Sequence, residues 1–124
     1  SQAAAARAGA IPRLMTLLTK GRRARGAAAS ALRHLATDHE RNQVVIAKAG
    51  ALGPLVRLLK DHDSSVQGEA AGALRTLAGT HYENQVAISR AGAVPHLVLL
   101  LGSDGPMVRE RAAAALRALA VNNA

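Results

Sequence analysis

The sequence predicts an all-α fold built as a solenoid, and three observations carry that prediction. The first is a period. NQVVIAKAGALGPLVRLL from Asn42 returns 42 residues later as NQVAISRAGAVPHLVLLL from Asn84, and EAAGALRTLA from Glu69 returns as RAAAALRALA from Arg111. An earlier copy, SQAAAARAGAIPRLMTLL from Ser1 followed by AAASALRHLA from Ala27, is one residue shorter between Leu18 and Ala27. A period of this size marks a stack of supersecondary units, each touching mainly its neighbours. The second is composition: apolar residues make up 49% of the chain, yet there is no Trp, no Phe and one Tyr. A core of Ala and Leu suits close helix-on-helix packing and argues against sheet. The third is spacing. Val66, Ala70, Ala73, Leu74 and Leu77 fall on one helical face, and Val108, Ala112, Ala115, Leu116 and Leu119 repeat it, as do Ala24, Ala28, Ala31, Leu32 and Leu35.

Each copy divides into three predicted helices. The short first helix runs from Glu40 to Lys48 and from Glu83 to Arg90, with Thr37-x-x-Glu40 and Thr80-x-x-Glu83 as capping boxes. It closes at Ala49-Gly50 and Ala91-Gly92, and at Ala8-Gly9 in the first copy, where glycine can take the left-handed conformation. A second helix covers Ile11–Leu18, Leu52–Lys60 and Val94–Leu101, with Pro12, Pro54 and Pro95 in its first turn, where a missing N–H does no harm. Turn residues follow, and then the longest helix, opened in the second copy by Ser64-x-x-Gln67 as a further capping box. The copies span about 1–41, 42–83 and 84–124, one continuous array. No polar capping copy stands at either end, so the chain reads as part of a longer array.

Charge is abundant and uneven. Sixteen basic residues against eight acidic give +8, and residues 1–41 hold eight of the basic ones with two acidic. Residues 42–83 balance at four and four. The densest basic patch is Lys20, Arg22, Arg23 and Arg25, which resembles a nuclear-import signal or a phosphate-contacting loop. With no cysteine, disulfides, thiolate metal sites and cysteine nucleophiles are excluded. No signal peptide is present, and no apolar run reaches the roughly 18 to 20 residues that span a bilayer. These features read as an intracellular protein, cytoplasmic or nuclear.

Nothing in the motifs points to catalysis. There is no nucleophile elbow, no phosphate-binding loop and no dinucleotide fingerprint. His39 and His81 occupy one repeat position and read as module residues, and His39-Glu40 lacks the second histidine of a zinc helix. Asp61-His62-Asp63 reads as a solvated turn. The sequence therefore predicts no enzyme, no metal and no cofactor.

The run N-Q-x-x-I-x-x-A-G-A, followed by L-V-x-L-L and V-x-x-x-A-A-x-A-L-R-x-L-A, resembles the armadillo repeat over the whole chain. The resemblance implies a right-handed superhelix of three repeats whose third helices line a concave groove for an extended peptide. In peptide-binding members a Trp and an Asn four residues apart on each third helix grip the peptide backbone. The corresponding positions here are Ser30 and His34, Gly72 and Thr76, and Ala114 and Ala118. Every rung departs from the pattern, and no aromatic anchor is available.

Arginine takes the place of the missing anchors. Arg33, Arg75 and Arg117 recur at one position of the three third helices, with Arg111 beside the third rung and Glu69 opposing it at the second. Guanidinium forks pair with carboxylates and phosphates. The reading is a protein-interaction scaffold whose groove holds an extended acidic peptide. Two other readings stay open: self-association through uncapped end repeats, and non-specific nucleic-acid binding through the basic first copy, with a steep salt dependence.

Overall fold

The computed structural model describes residues 2–21, 23–79 and 81–120, with side chains from residue 9 onward. Among the described residues the chain forms eight helices and no strand. They are α1 (Gln2–Lys20), α2 (Arg25–Ala36), α3 (Glu40–Lys48), α4 (Leu52–Leu58), α5 (Ser64–Ala78), α6 (Tyr82–Arg90), α7 (Ala93–Leu100) and α8 (Pro106–Ala120). The second and third copies each fold as a short helix, a second short helix and a long one, as their periodicity predicts. The long helices α2, α5 and α8 form the spine. Helix α5 packs against α2 on one side and α8 on the other more extensively than any other pair.

The turns between first and second helices follow from glycine. Gly50 and Gly92 both sit at φ 92°, the left-handed region that an L side chain adopts only with strain. A Cβ at either would meet nothing within 4 Å, so backbone freedom alone explains the residue type. Pro54 and Pro95 fall in the opening turns of α4 and α7.

The first copy departs from the expected pattern. Its two short helices merge, and α1 runs unbroken from Gln2 to Lys20 through Gly9 and Pro12. Ile46, fully buried in the second copy, helps hold α3 against the core. Its counterpart in the first copy is Ala5, flanked by Ala3 and Ala4. With no large anchor to hold a bend at Gly9, high alanine propensity carries the helix on, despite the hydrogen bond Pro12 cannot donate.

The expected capping boxes also give way to other caps. Thr37 turns its hydroxyl back to donate to the Arg33 carbonyl at 2.7 Å, and α3 is capped by His39, whose Nδ1 accepts from the Asn42 N–H. Asp63, rather than Ser64, caps α5 by accepting from the Ser65 N–H at 2.9 Å. A carboxylate suits the positive end of a helix better than a hydroxyl does. Gln67 reaches past the cap to donate to the Asp61 carbonyl at 2.6 Å. Thr80, the opening residue of the other proposed box, lies outside the described residues.

One apolar cluster runs from Ile11 to Leu119. It includes Leu32, Ile46, Leu55, Leu74, Leu77, Ile88 and Leu97, all fully buried. Buried alanines at 28, 29, 70, 71, 73, 112 and 115 let the long helices approach closely. The pair Gly68 and Gly72 belongs to this close packing. A Cβ at Gly68 would press within 2.7 Å of Met107 Cε on α8.

Among the described residues, four polar side chains are buried with the core: Asn42, Gln43, Asn84 and Gln85. Their amides donate to carbonyls at the end of the preceding long helix. Asn42 binds the Leu35 carbonyl at 2.7 Å and Gln43 the Ala36 carbonyl at 2.8 Å. Asn84 binds Leu77 at 2.9 Å and Gln85 binds Gly79 at 3.0 Å. The last carbonyls of a helix have no partner within it, and here the next copy supplies one. The repeated Asn-Gln is thus a hook between copies.

Candidate functional site

The face built by α2, α5 and α8 carries nearly every residue singled out in the sequence, but it does not treat the three copies alike. Arg75 and Arg117, in the last turns of α5 and α8, are exposed. They line one shallow cavity of about 340 Å³ together with Thr76, Ala114, Ala118, Thr37, Asp38, Gln43 and Gly79. Gly79 closes α5 at φ 39°, and Asp38 sits at φ 55°, a region short polar side chains tolerate. Thr76 donates to the Gly72 carbonyl at 3.0 Å, so its hydroxyl proton is engaged within α5.

Arg33 leaves this row. Its guanidinium Nη2 lies 3.4 Å from Glu69 Oε2, while Arg111 Nη1 lies 3.2 Å from Glu69 Oε1. One carboxylate on α5 is thus held from α2 and from α8. Gly72 makes the crossing possible. A Cβ there would fall 2.9 Å from Arg33 Cδ and 3.4 Å from Arg111 Cδ. Burial pushes the Glu69 carboxyl upward, but hydrogen bonds from Arg111 and Ser30, with the charges of Arg111 and Arg33, hold it below its ordinary value. The Nε–H of Arg33 is buried without a hydrogen-bond partner.

His34 points elsewhere. Its Nδ1 lies 2.8 Å from the Ser30 carbonyl one turn back, and the ring lines a cavity between α1 and α2 with Ala10, Leu14, Leu35 and His39. Ser30 stays at the clamp.

The basic patch is divided too. Arg25 forms a two-pronged ion pair with Asp61 of the second copy, through Nε at 2.5 Å and Nη2 at 3.1 Å. The bond from Arg25 is the chief reason the Asp61 carboxyl titrates below its usual range. Lys20 and Arg23 remain exposed, and Arg22 lies outside the described residues. This patch sits where α2 begins, whereas Arg75 and Arg117 sit where α5 and α8 end. The two basic regions therefore occupy opposite ends of the long helices.

These repeats, with their Ala-Gly turns and long closing helices, have a counterpart among known families: the Armadillo/beta-catenin-like repeat matches residues 39–79 and 81–121. The chain belongs to the armadillo repeat family. The matched units begin at His39 and His81, so each armadillo repeat takes in the residue that precedes its first helix, slightly ahead of the boundaries expected at 42 and 84. No curated protein matches the chain. Among solved structures, an engineered protein of the Northeast Structural Genomics Consortium is 39% identical, with a TM-score of 0.86 over 90% of this chain and 46% of that one. A designed armadillo repeat protein is 33% identical, with a TM-score of 0.82 over 90% and 47%. Another, solved in complex with the peptide (KR)4, is 32% identical, with a TM-score of 0.79 over the same shares. The chain spans less than half the length of each.

Sequence reasoning placed these residues on the long helices but missed the clamp and the hooks. Arg25 and Asp61 lie 36 positions apart, as do Arg33 and Glu69. That recurring offset, just short of the repeat period, was the available signal. The hooks were visible as a repeated Asn-Gln, a polar pair entering an apolar helix.

Proposed function

We propose that this armadillo chain is a non-catalytic protein-interaction module that holds an extended acidic peptide along the face of α2, α5 and α8. The observation that carries the reading is the pair Arg75 and Arg117: exposed, one repeat apart, and lining a common cavity. Guanidinium groups at repeat spacing suit carboxylates of an extended chain. The designed relative in complex with (KR)4 supports peptide capture by this architecture. Here the exposed groove charge is basic, which favours the opposite ligand sign.

The test is binding of a (DE)4 peptide at physiological salt. Reversing both groups, Arg75→Glu with Arg117→Glu, is expected to weaken binding at least tenfold with helicity unchanged. Unchanged affinity would sink the reading. A length-matched single-stranded DNA serves as the control, and salt-sensitive DNA capture without peptide binding would favour nucleic acid instead.

A second reading has its own observation. Leu52, Val56 and Leu59 are 8%, 4% and 2% exposed, while their counterparts Val94, Val98 and Leu101 are 37%, 51% and 42% exposed. The third repeat thus leaves exposed an apolar face whose counterpart in the second repeat is buried. A second copy of the chain would bury it. Light scattering across a concentration series decides this, and a monomer at every concentration defeats it.

A further inference from the structure

Glu69 lies on α5 one turn before Gly72, and its aligned neighbours are Ala27 and Arg111. It is the only acidic residue within α5, and α2 has none. A half-buried carboxylate in a peptide groove is, chemically, a seat for a guanidinium or ammonium group. Here that seat is already taken. Arg33 reaches it from α2 and Arg111 from α8, one to each carboxylate oxygen. Both arms cross the bare backbone at Gly72, where a Cβ would crowd them.

We infer that Glu69 is a docking point for a basic peptide side chain, held shut in cis by Arg33 and Arg111, so that the clamp sets the groove against basic peptides. This rests on the peptide-groove reading above, and it names the residues that fix the sign of the ligand. The clamp works in two ways. It occupies the carboxylate, and it places two positive charges where an approaching Lys or Arg must pass. Its closure is loose. The Arg33 contact is 3.4 Å long, and the Nε–H of that arginine is buried without a partner. Partly exposed ion pairs of this kind are individually weak, so the clamp biases selection and opens when its arms are shortened or neutralised.

The experiment uses the (KR)4 peptide as probe on the full chain. Arg33→Gln with Arg111→Gln keeps the aliphatic stems over α5 while removing both charges. This double variant is expected to bind (KR)4 at least about tenfold tighter than the wild type. Adding Glu69→Gln to it should return affinity to the wild-type level. Each single glutamine variant should give part of the gain, which keeps the test sound if the double variant folds poorly. Circular dichroism verifies helicity for each. No gain in any of the three, or a gain that survives Glu69→Gln, overturns the inference.

Binding of (DE)4 to the wild type separates the two readings. A (KR)4 gain without (DE)4 binding refutes only the acidic ligand, and (DE)4 binding without a (KR)4 gain refutes only the clamp.

Discussion

The glutamine at position 85 is fully buried, yet its side chain is polar and belongs to the helix after the one whose end it serves. Its amide satisfies the Gly79 carbonyl, which α5 cannot satisfy from within. Gln85→Ala is expected to cost about 1 to 3 kcal/mol, because it leaves a part-buried acceptor without this bond and opens a small void in the core. Chemical denaturation of the variant and wild type measures it. Lys48→Ala, an exposed change on the first helix of the second repeat, should sit within about 0.5 kcal/mol of wild type. At this scale the sequence was half legible. The repeated Asn-Gln could be read as part of the module, but its bonds span six or seven residues and a turn, which no helical period displays. Glu69 was legible as an outlier on a basic face. Its role was not, because one partner lies 36 positions before it and the other 42 after.

Among helices, one aligned position makes opposite demands. Gly50 and Gly92 close helices at positive φ, whereas Gly9 lies inside the unbroken α1. None of the three has a neighbour that a Cβ would strike. The same substitution should therefore change sign with backbone conformation alone. Gly9→Ala is expected to stabilise the fold by about 1 kcal/mol through helix propensity. Gly50→Ala should destabilise it by about 1 to 2 kcal/mol through left-handed strain. Thermal melts of the two variants test the pair, and destabilisation by Gly9→Ala would show that α1 bends there. Helix identity was read well for the second and third repeats because each apolar stripe has its own anchor and stop. It failed in the first, where the stop signal Ala8-Gly9 survives but Ala5 replaces the anchoring isoleucine. A turn motif needs packing to hold it.

For the whole chain, ion pairs tie repeats to one another: Arg25 to Asp61, and Glu69 to Arg33 and Arg111. Both carboxyls titrate below their ordinary values. Their contribution to stability is therefore full above the ordinary carboxylate range, near pH 4. It is lost as pH falls through the lowered values of the folded state. Melting temperature should drop steeply on acidification below about pH 4. Glu69→Gln should flatten part of that drop while lowering stability at neutral pH. An acid profile identical to wild type would remove Glu69 from the account. The overall charge of +8 was legible at once, but its distribution over the surface was not. Arg25 and Arg33 look like free cations in sequence and are committed to the next repeat in space.

The clamp also means that the repeats are not interchangeable. Only the second carries an acid at this position, and the third carries its counter-charge. Exchanging those two segments would set Arg111 beside its own kind at one junction and leave Glu69 with a different neighbour at the other. Position along the array is thus written into the side chains: a shuffled chain with identical composition and an identical hydrophobic pattern would close its groove differently, or leave it open.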